Sequence, residues 1–314
     1  MVKIKTENKQ VHTRYGHATV VHTGYGHKAK KSLGQNFLKS NLALKKIVEV
    51  GEISPENIIL EIGPGKGALT EKLLSAQSAS HNEADKEKTG CVIAVEKDRN
   101  LFELLQKKFT KEIKNKKLVL IEGDCLKFNP KNYQLETKTY KLISNIPYNI
   151  TGAILKKFLI EKNQPSMMVL MVQNEVAKRI CVHTGYGQGK ESLLSISVKA
   201  YGEPKMIMKV PARYFSPAPK VDSAIIKISN ISRKIFTPSK TPSSFGHSPL
   251  AGGEKVVEEK FWEIVRAGFA HKRKKLSSNL KNLQVHTGYG HGVELGNKRA
   301  EDLSLLDWIN LAKD

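Results

Sequence analysis

Apolar and polar positions along this chain follow two rhythms that take turns. Leu42, Leu44, Ile47, Val48 and Val50 recur at helical spacing and predict an amphipathic helix. Residues 57–62 (Asn-Ile-Ile-Leu-Glu-Ile) are a short, nearly continuous apolar run ending in glycines, the pattern of a buried strand. A helix follows over 68–74. Further apolar runs predict strands over 91–95, 118–121, 140–144 and 167–172, with a helix over 101–109. Strands and helices alternating at this pace predict an α/β fold with a doubly wound, mostly parallel sheet.

The pattern breaks in four places. Residues 1–28 have no period and read as a disordered tail; 76–89 are polar and read as a loop extension. Residues 233–257 read as a linker or insertion whose centre, 237–254, is rich in Pro, Ser and Gly. The periodic sheet region therefore spans 29–232. Beyond the linker, 258–314 read as a small helical domain with helices over 261–270 and 304–312 and a cationic segment, His271-Lys272-Arg273-Lys274-Lys275, between them. The fourth break is a heptapeptide that recurs at 11–17, 21–27, 182–188 and 285–291. Its irregular spacing excludes a solenoid, and the five-residue spacing of its histidines suits neither one helical face nor a known ligand spacing. These copies are expected to be insertions tolerated in exposed loops and in the tail.

Composition adds a partner. Lys and Arg total 52 against 30 acidic residues, a formal charge of +22, and the pI is near 9.7. Such an excess draws phosphate and drives binding by counterion release, so nucleic acid is the expected partner. No run approaches the roughly 18 apolar residues of a membrane span, and the first residues lack an apolar signal core, so the chain is expected to be cytoplasmic. Cys91, Cys125 and Cys181 lie far apart without a CxxC pair, which favours reduced thiols over a disulfide frame or a zinc site; no metal is expected.

Candidate chemistry lies at the ends of the predicted strands, where open α/β sheets bind ligands. Glu61-Ile62-Gly63-Pro64-Gly65-Lys66-Gly67 follows a strand and opens a helix. Its glycines permit close backbone approach beside free helix N–H groups. Alone, the loop suits either a dinucleotide or S-adenosylmethionine. Glu96, ending the next strand, can accept from ribose hydroxyls, and Asp124, after the third, can accept from an adenine amine. Either acid singly is an ordinary loop carboxylate; with the glycine loop they make a nucleoside site.

After the fourth strand comes Asn145-Ile146-Pro147-Tyr148. An exocyclic adenine amine is a poor nucleophile because its lone pair is delocalised into the ring. The Asn145 carboxamide oxygen and the Ile146 carbonyl can each accept one of its N–H groups, favouring a pyramidal nitrogen. Pro147 fixes the backbone, and Tyr148 offers a face on which an extruded base can stack. Such tetrapeptides also occur in ordinary turns; what distinguishes this one is its place after the fourth strand.

Together these segments resemble the ribosomal RNA adenine N6-dimethyltransferases, in particular the branch acting on small-subunit 16S rRNA. The likeness covers 29–232 almost continuously and 258–314 more loosely. Lys31-Ser32-Leu33-Gly34-Gln35-Asn36-Phe37-Leu38 is similar to the family's opening motif, which implies cofactor contacts for Asn36 and Leu38. It implies the same for Gly63 and Gly65 in the loop, and for Glu96, Asp124 and Asn145. The segment from Phe215 to Ser223 is similar to the family's F-x-P-x-P-x-V-x-S pattern, which implies that Phe215 lies across the target base from Tyr148. Residues 269–280 are similar to its basic helix, with Arg273, Lys274 and Lys275 gripping rRNA, and 299–304 to its closing motif. By resemblance the fold is a Rossmann-like class I methyltransferase sheet with a small C-terminal helical domain. The reaction is N6,N6-dimethylation of two adjacent adenosines near the 3′ end of 16S rRNA, with S-adenosylmethionine as methyl donor. The substrate is a pre-assembled small subunit and the enzyme a monomer.

Three other readings compete. A large-subunit, antibiotic-resistance methyltransferase would share most motifs. An assembly factor acting mainly by binding would not need Glu96, Asp124 and Asn145 intact. A DNA adenine methyltransferase would more usually carry an acidic tetrapeptide with paired prolines.

Overall fold

A computed structural model describes residues 29–79, 90–182 without 134 and 138, 189–237, and 253–313 without 284, 286 and 290–292. A short strand β1 (Phe37–Leu38) precedes α1 (Asn41–Val50), which starts where Ser40 Oγ accepts from the Ala43 N–H and stops at Gly51. There follow β2 (Ile58–Ile62), α2 (Ala68–Ala79), β3 (Cys91–Glu96), α3 (Arg99–Lys108), α4 (Thr110–Lys114), β4 (Leu118–Glu122), β5 (Tyr140–Asn145), α5 (Thr151–Ile160), β6 (Met167–Gln173) and α6 (Asn174–Ile180). Next come α7 (Leu193–Lys199), β7 (Glu203–Val210), β8 (Phe215–Ser216) and β9 (Ser223–Ser229), then α8 (Gly253–Gly268), α9 (Leu276–Leu280), β10 (Gly288–Tyr289), β11 (Val293–Glu294) and α10 (Leu305–Lys313).

Seven strands form one sheet in the order β4-β3-β2-β5-β6-β9-β7. The first five are parallel; β9 and β7 close one edge antiparallel. The strands read as continuous apolar runs because both faces are covered, and their side chains divide with a period of two. Leu60, Ile62, Ile93, Val95, Leu142, Met168 and Leu170 enter one core; Ile59, Val92, Ala94, Ile143, Val169 and Met171 enter the other. Separately, β1 pairs with β8, setting Phe37 opposite Ser216 and Leu38 opposite Phe215.

The five parallel strands expected from the sequence are present, and the structure departs from expectation around them. The helix expected over 68–74 runs on to Ala79. Gln77 Nε2 donates to the Asn57 carbonyl at 2.6 Å, and the Ser75 and Ser78 hydroxyls bond back to carbonyls one turn earlier. Polar residues thus stay helical into the stretch expected to be loop; 80–89 lie outside the described residues. Strands β7 and β9 went unforeseen, β7 because Lys205 and Lys209 break its apolar run.

The expected linker, 233–257, opens with a tight turn, Lys234–Phe236, that buries the Phe236 ring against Tyr201 and Phe261. Residues 238–252 lie outside the described residues, and α8 begins at Gly253. One apolar cluster runs without interruption from the sheet into the C-terminal helices, reaching Trp262 and Trp308. Trp262 Nε1 donates to Tyr201 Oη at 2.9 Å, and that hydroxyl donates to Glu258, which also pairs with Arg233. The two heptapeptide copies before residue 28, like 183–188, lie outside the described residues. The fourth copy is not simply a loop: Val285 packs on the core and Gly288–Tyr289 pairs with Val293–Glu294.

Candidate cofactor and target-base site

A cavity of about 640 Å³ opens at the carboxyl ends of the parallel strands, a volume suited to a nucleoside-sized ligand. Asn36, Leu38, Gly63, Gly65, Glu96, Asp124 and Asn145 all line it, as do Ile146, Pro147 and Tyr148. Asn36 and Asn145, 109 positions apart in the chain, thus meet because four strand ends and the opening segment converge on one place.

The glycine loop leaves β2 with Gly63, Gly65 and Gly67 all at positive φ. At Gly65 a Cβ would stand 3.0 Å from the Phe37 ring, so the residue combines a left-handed backbone with close packing that only glycine satisfies. Its N–H donates to Glu96 Oε2 at 3.0 Å, while the Asp98 N–H donates to Glu96 Oε1 at 2.8 Å. Burial pushes the Glu96 carboxyl above the usual range, and these N–H groups pull against it. Asp124 is held by the Leu126 N–H and by Lys97, both at 2.9 Å, with the lysine foremost in keeping its pKa low. Glu61, buried among the lining residues, accepts from Thr70 Oγ1 at 2.7 Å; burial, reinforced by nearby Glu96, raises its pKa to about 8.

At the other end, Ser144 Oγ donates to the Ile62 carbonyl at 2.5 Å, tying β5 to β2 just before the tetrapeptide. Asn145 Nδ2 donates to the Asn36 carbonyl at 3.3 Å. That bond takes one of the amide's two N–H groups, on a residue that lines the cavity. Pro147, at φ −61°, leads into a tight turn over Tyr148–Ile150. The Tyr148 hydroxyl lies 2.5 Å from Ser223 Oγ.

Two expectations meet a different geometry. Phe215 is buried in the core with Leu38 and is not among the cavity-lining residues; Ser216 is. Successive side chains of a strand point to opposite faces, so once Ser216 faces the cavity Phe215 faces the core. Arg273, Lys274 and Lys275 are exposed and are not among the cavity-lining residues. They occupy a turn between α8 and α9 rather than a helix, consistent with the repulsion of consecutive like charges. Lys275 donates to Asn297 Oδ1 at 3.0 Å; among the described residues Arg273 and Lys274 have no ion-pair partner. Sequence reasoning missed Glu61, Lys97 and Ser223. Glu61 was signalled by its place ahead of the glycines; Lys97 and Ser223 gain roles only through partners distant in the chain.

Residues 26–245 match the family model described as ribosomal RNA adenine dimethylase. The chain belongs to that family. A ribosomal RNA small subunit methyltransferase A from Dehalococcoides mccartyi is 39% identical over 90% of this chain and 87% of its own length. Proteins of the same name from Nostoc sp. and Fusobacterium nucleatum are 34% and 33% identical, over 90% and 91% of this chain and 96% and 97% of theirs. Among solved structures, a dimethyladenosine transferase from Plasmodium falciparum superposes with a TM-score of 0.65 at 25% identity, over 88% of this chain and 95% of that one. The 23S rRNA methyltransferase ErmE shares the fold at a TM-score of 0.59 and 24% identity, over 89% and 100%. The α/β sheet is thus the class I methyltransferase sheet of this family.

Proposed function

We propose that this chain dimethylates N6 of two adjacent adenosines near the 3′ end of small-subunit 16S rRNA, using S-adenosylmethionine. The observation that carries the reading is the orientation of Asn145. Its amide is anchored through Nδ2 on the Asn36 carbonyl at the cavity wall, and in this reading its oxygen accepts an N–H from an adenine amine. Family membership and the small-subunit names of the relatives at 33–39% identity favour 16S over 23S rRNA.

The residues present fit the methyl donor. A buried carboxylate, Glu96, lies beside a glycine loop whose close packing a Cβ would disturb, in a cavity of nucleoside size. Glu96 would hold the ribose hydroxyls, Asp124 the adenine amine, and Gly63, Gly65, Asn36 and Leu38 the remaining surface. When bound, S-adenosylmethionine supplies an electrophilic methyl group. Asn145 Oδ1 and the Ile146 carbonyl accept the two N–H groups of the target amine, and Tyr148 stacks on the base. No strong base is required, since the amine proton becomes acidic only as the N–C bond forms; positioning and electrostatics do the work.

Arg273 and Lys274, exposed without ion-pair partners among the described residues, hold rRNA phosphates, with Lys275 beside them. We assign 29–232 to the methyltransferase domain and 258–314 to an rRNA-binding helical domain, acting as a monomer in the cytoplasm. Among the described residues no helix is long and apolar enough to cross a membrane. The test is labelled S-adenosylmethionine offered with undermethylated small subunits, large subunits and DNA in parallel, followed by nucleoside mass analysis. Dimethyladenosine in the small-subunit arm supports the proposal; label only in large subunits or DNA overturns it.

A further inference from the structure

We propose that Ser223 is a positioning residue for methyl transfer: by holding the Tyr148 hydroxyl it aims the ring on which the target adenine stacks. The inference rests on the reading of Tyr148 as that stacking surface.

Ser223 opens β9 and is wholly buried. Its backbone is fixed from both sides, set opposite Gln173 of β6 and Val210 of β7. Tyr148, by contrast, sits in a turn of three residues, where hydrogen bonding is weaker than in a helix or strand. Its backbone therefore does less to fix the side chain, and the 2.5 Å contact between Tyr148 Oη and Ser223 Oγ supplies the missing restraint. Burial raises the phenol's pKa, so the pair is a neutral O–H···O bond at physiological pH.

The geometry of a tyrosine makes this bond selective. The hydroxyl lies on the long axis of the ring, so anchoring it sets the direction of that axis, which is χ1, and leaves rotation about the axis to packing. A swing of the axis is the motion that would carry the ring off a stacked base. Alanine at this position would leave the phenol without its anchor. This assigns a role to the last residue of the Phe215–Ser223 segment, which sequence reasoning left without one.

The test compares Ser223→Ala, Tyr148→Phe, their double variant and Tyr148→Ala on undermethylated small subunits. A fluorescent 2-aminopurine at the target position of an rRNA fragment reports stacking. A neutral hydrogen bond of ordinary strength predicts that kcat/KM for the RNA falls about fivefold in Ser223→Ala and in Tyr148→Phe, with less 2-aminopurine quenching. The double variant falls no further than either single one, and affinity for S-adenosylmethionine stays unchanged in all three. Multiplying effects, or wild-type kinetics and quenching in Tyr148→Phe, would overturn the proposal. Should Ser223→Ala fail to fold, Tyr148→Phe removes the same bond from the cavity side and decides alone. If Tyr148→Ala keeps full activity, the stacking role itself is wrong; if it loses activity while Tyr148→Phe does not, only the role of Ser223 is.

Discussion

The two ends of the cavity are built on different plans. At the cofactor end the polar groups are already occupied by the protein: both oxygens of Glu96 accept backbone N–H groups, Asp124 is held by Lys97 and Leu126, and Glu61 by Thr70. On the proposed function, each group at the target-base end is held by one atom and works through another: Asn145 is fixed through Nδ2 and accepts through its oxygen, Tyr148 is fixed through its hydroxyl and stacks through its ring. A methyl donor of constant shape suits a rigid seat. An amine that must be accepted bare and again with one methyl suits groups anchored at their far side and open at the near one.

The sharpest way to break this contrast is to remove the acceptor at the base end. Asn145→Ala is expected to lower kcat/KM by roughly 100- to 1,000-fold, the usual cost of losing one preorganised electrostatic partner. Small-subunit binding, measured by sedimentation, should be nearly unchanged. Retained dimethylation would mean that Asn145 is only a structural amide. At the cofactor end the corresponding change is Gly65→Ala. It combines a left-handed φ of +61° with a Cβ 3.0 Å from Phe37, and should weaken S-adenosylmethionine binding about tenfold in calorimetry. An unaltered affinity would mean that the seat is softer than its packing implies.

A third substitution probes what lies outside the cavity. Replacing Arg273, Lys274 and Lys275 together by alanine should flatten the slope of log affinity against log salt for rRNA by about 2, with cofactor affinity untouched. An unchanged slope would remove the turn between α8 and α9 from the interface and leave RNA capture to the cavity mouth.

The contrast also explains what could be read in the sequence. The cofactor end was legible because its glycines and carboxylates close or follow a strand: glycines after β2, Glu96 closing β3, Asp124 after β4. Alternation of helix and strand was enough to bring them together. The base end depends on pairings that no local pattern encodes. Ser216 enters the cavity and Phe215 the core because β8 pairs with β1, nearly 180 residues earlier, and Ser223 meets Tyr148 because β9 returns antiparallel beside β6. The start of the expected linker is hard to read for a related reason: Phe236 is a lone aromatic in a polar stretch, and its burial is visible only once Tyr201 and Phe261 are in place.

Folding stability, rather than binding or turnover, reports how closed the cofactor end is. Glu61 is fully buried, and its pKa is raised to about 8 from an ordinary value of 4.5. Between those values the folded chain holds a proton that the unfolded chain has lost, so stability falls as pH rises through that window. Glu61→Gln keeps an oxygen for Thr70 to donate to and removes the titration. The variant should match the wild type in denaturant unfolding near pH 4.5, lack this share of the loss as pH climbs, and exceed it above pH 8. The margin should be on the order of a few kcal/mol, since each tenfold change in a protonation equilibrium is worth about 1.4 kcal/mol. Some slope will remain, because Glu96 is shifted the same way by burial. Parallel profiles for the two proteins would mean that water reaches Glu61, and a seat open to water there could not be the rigid half of this site.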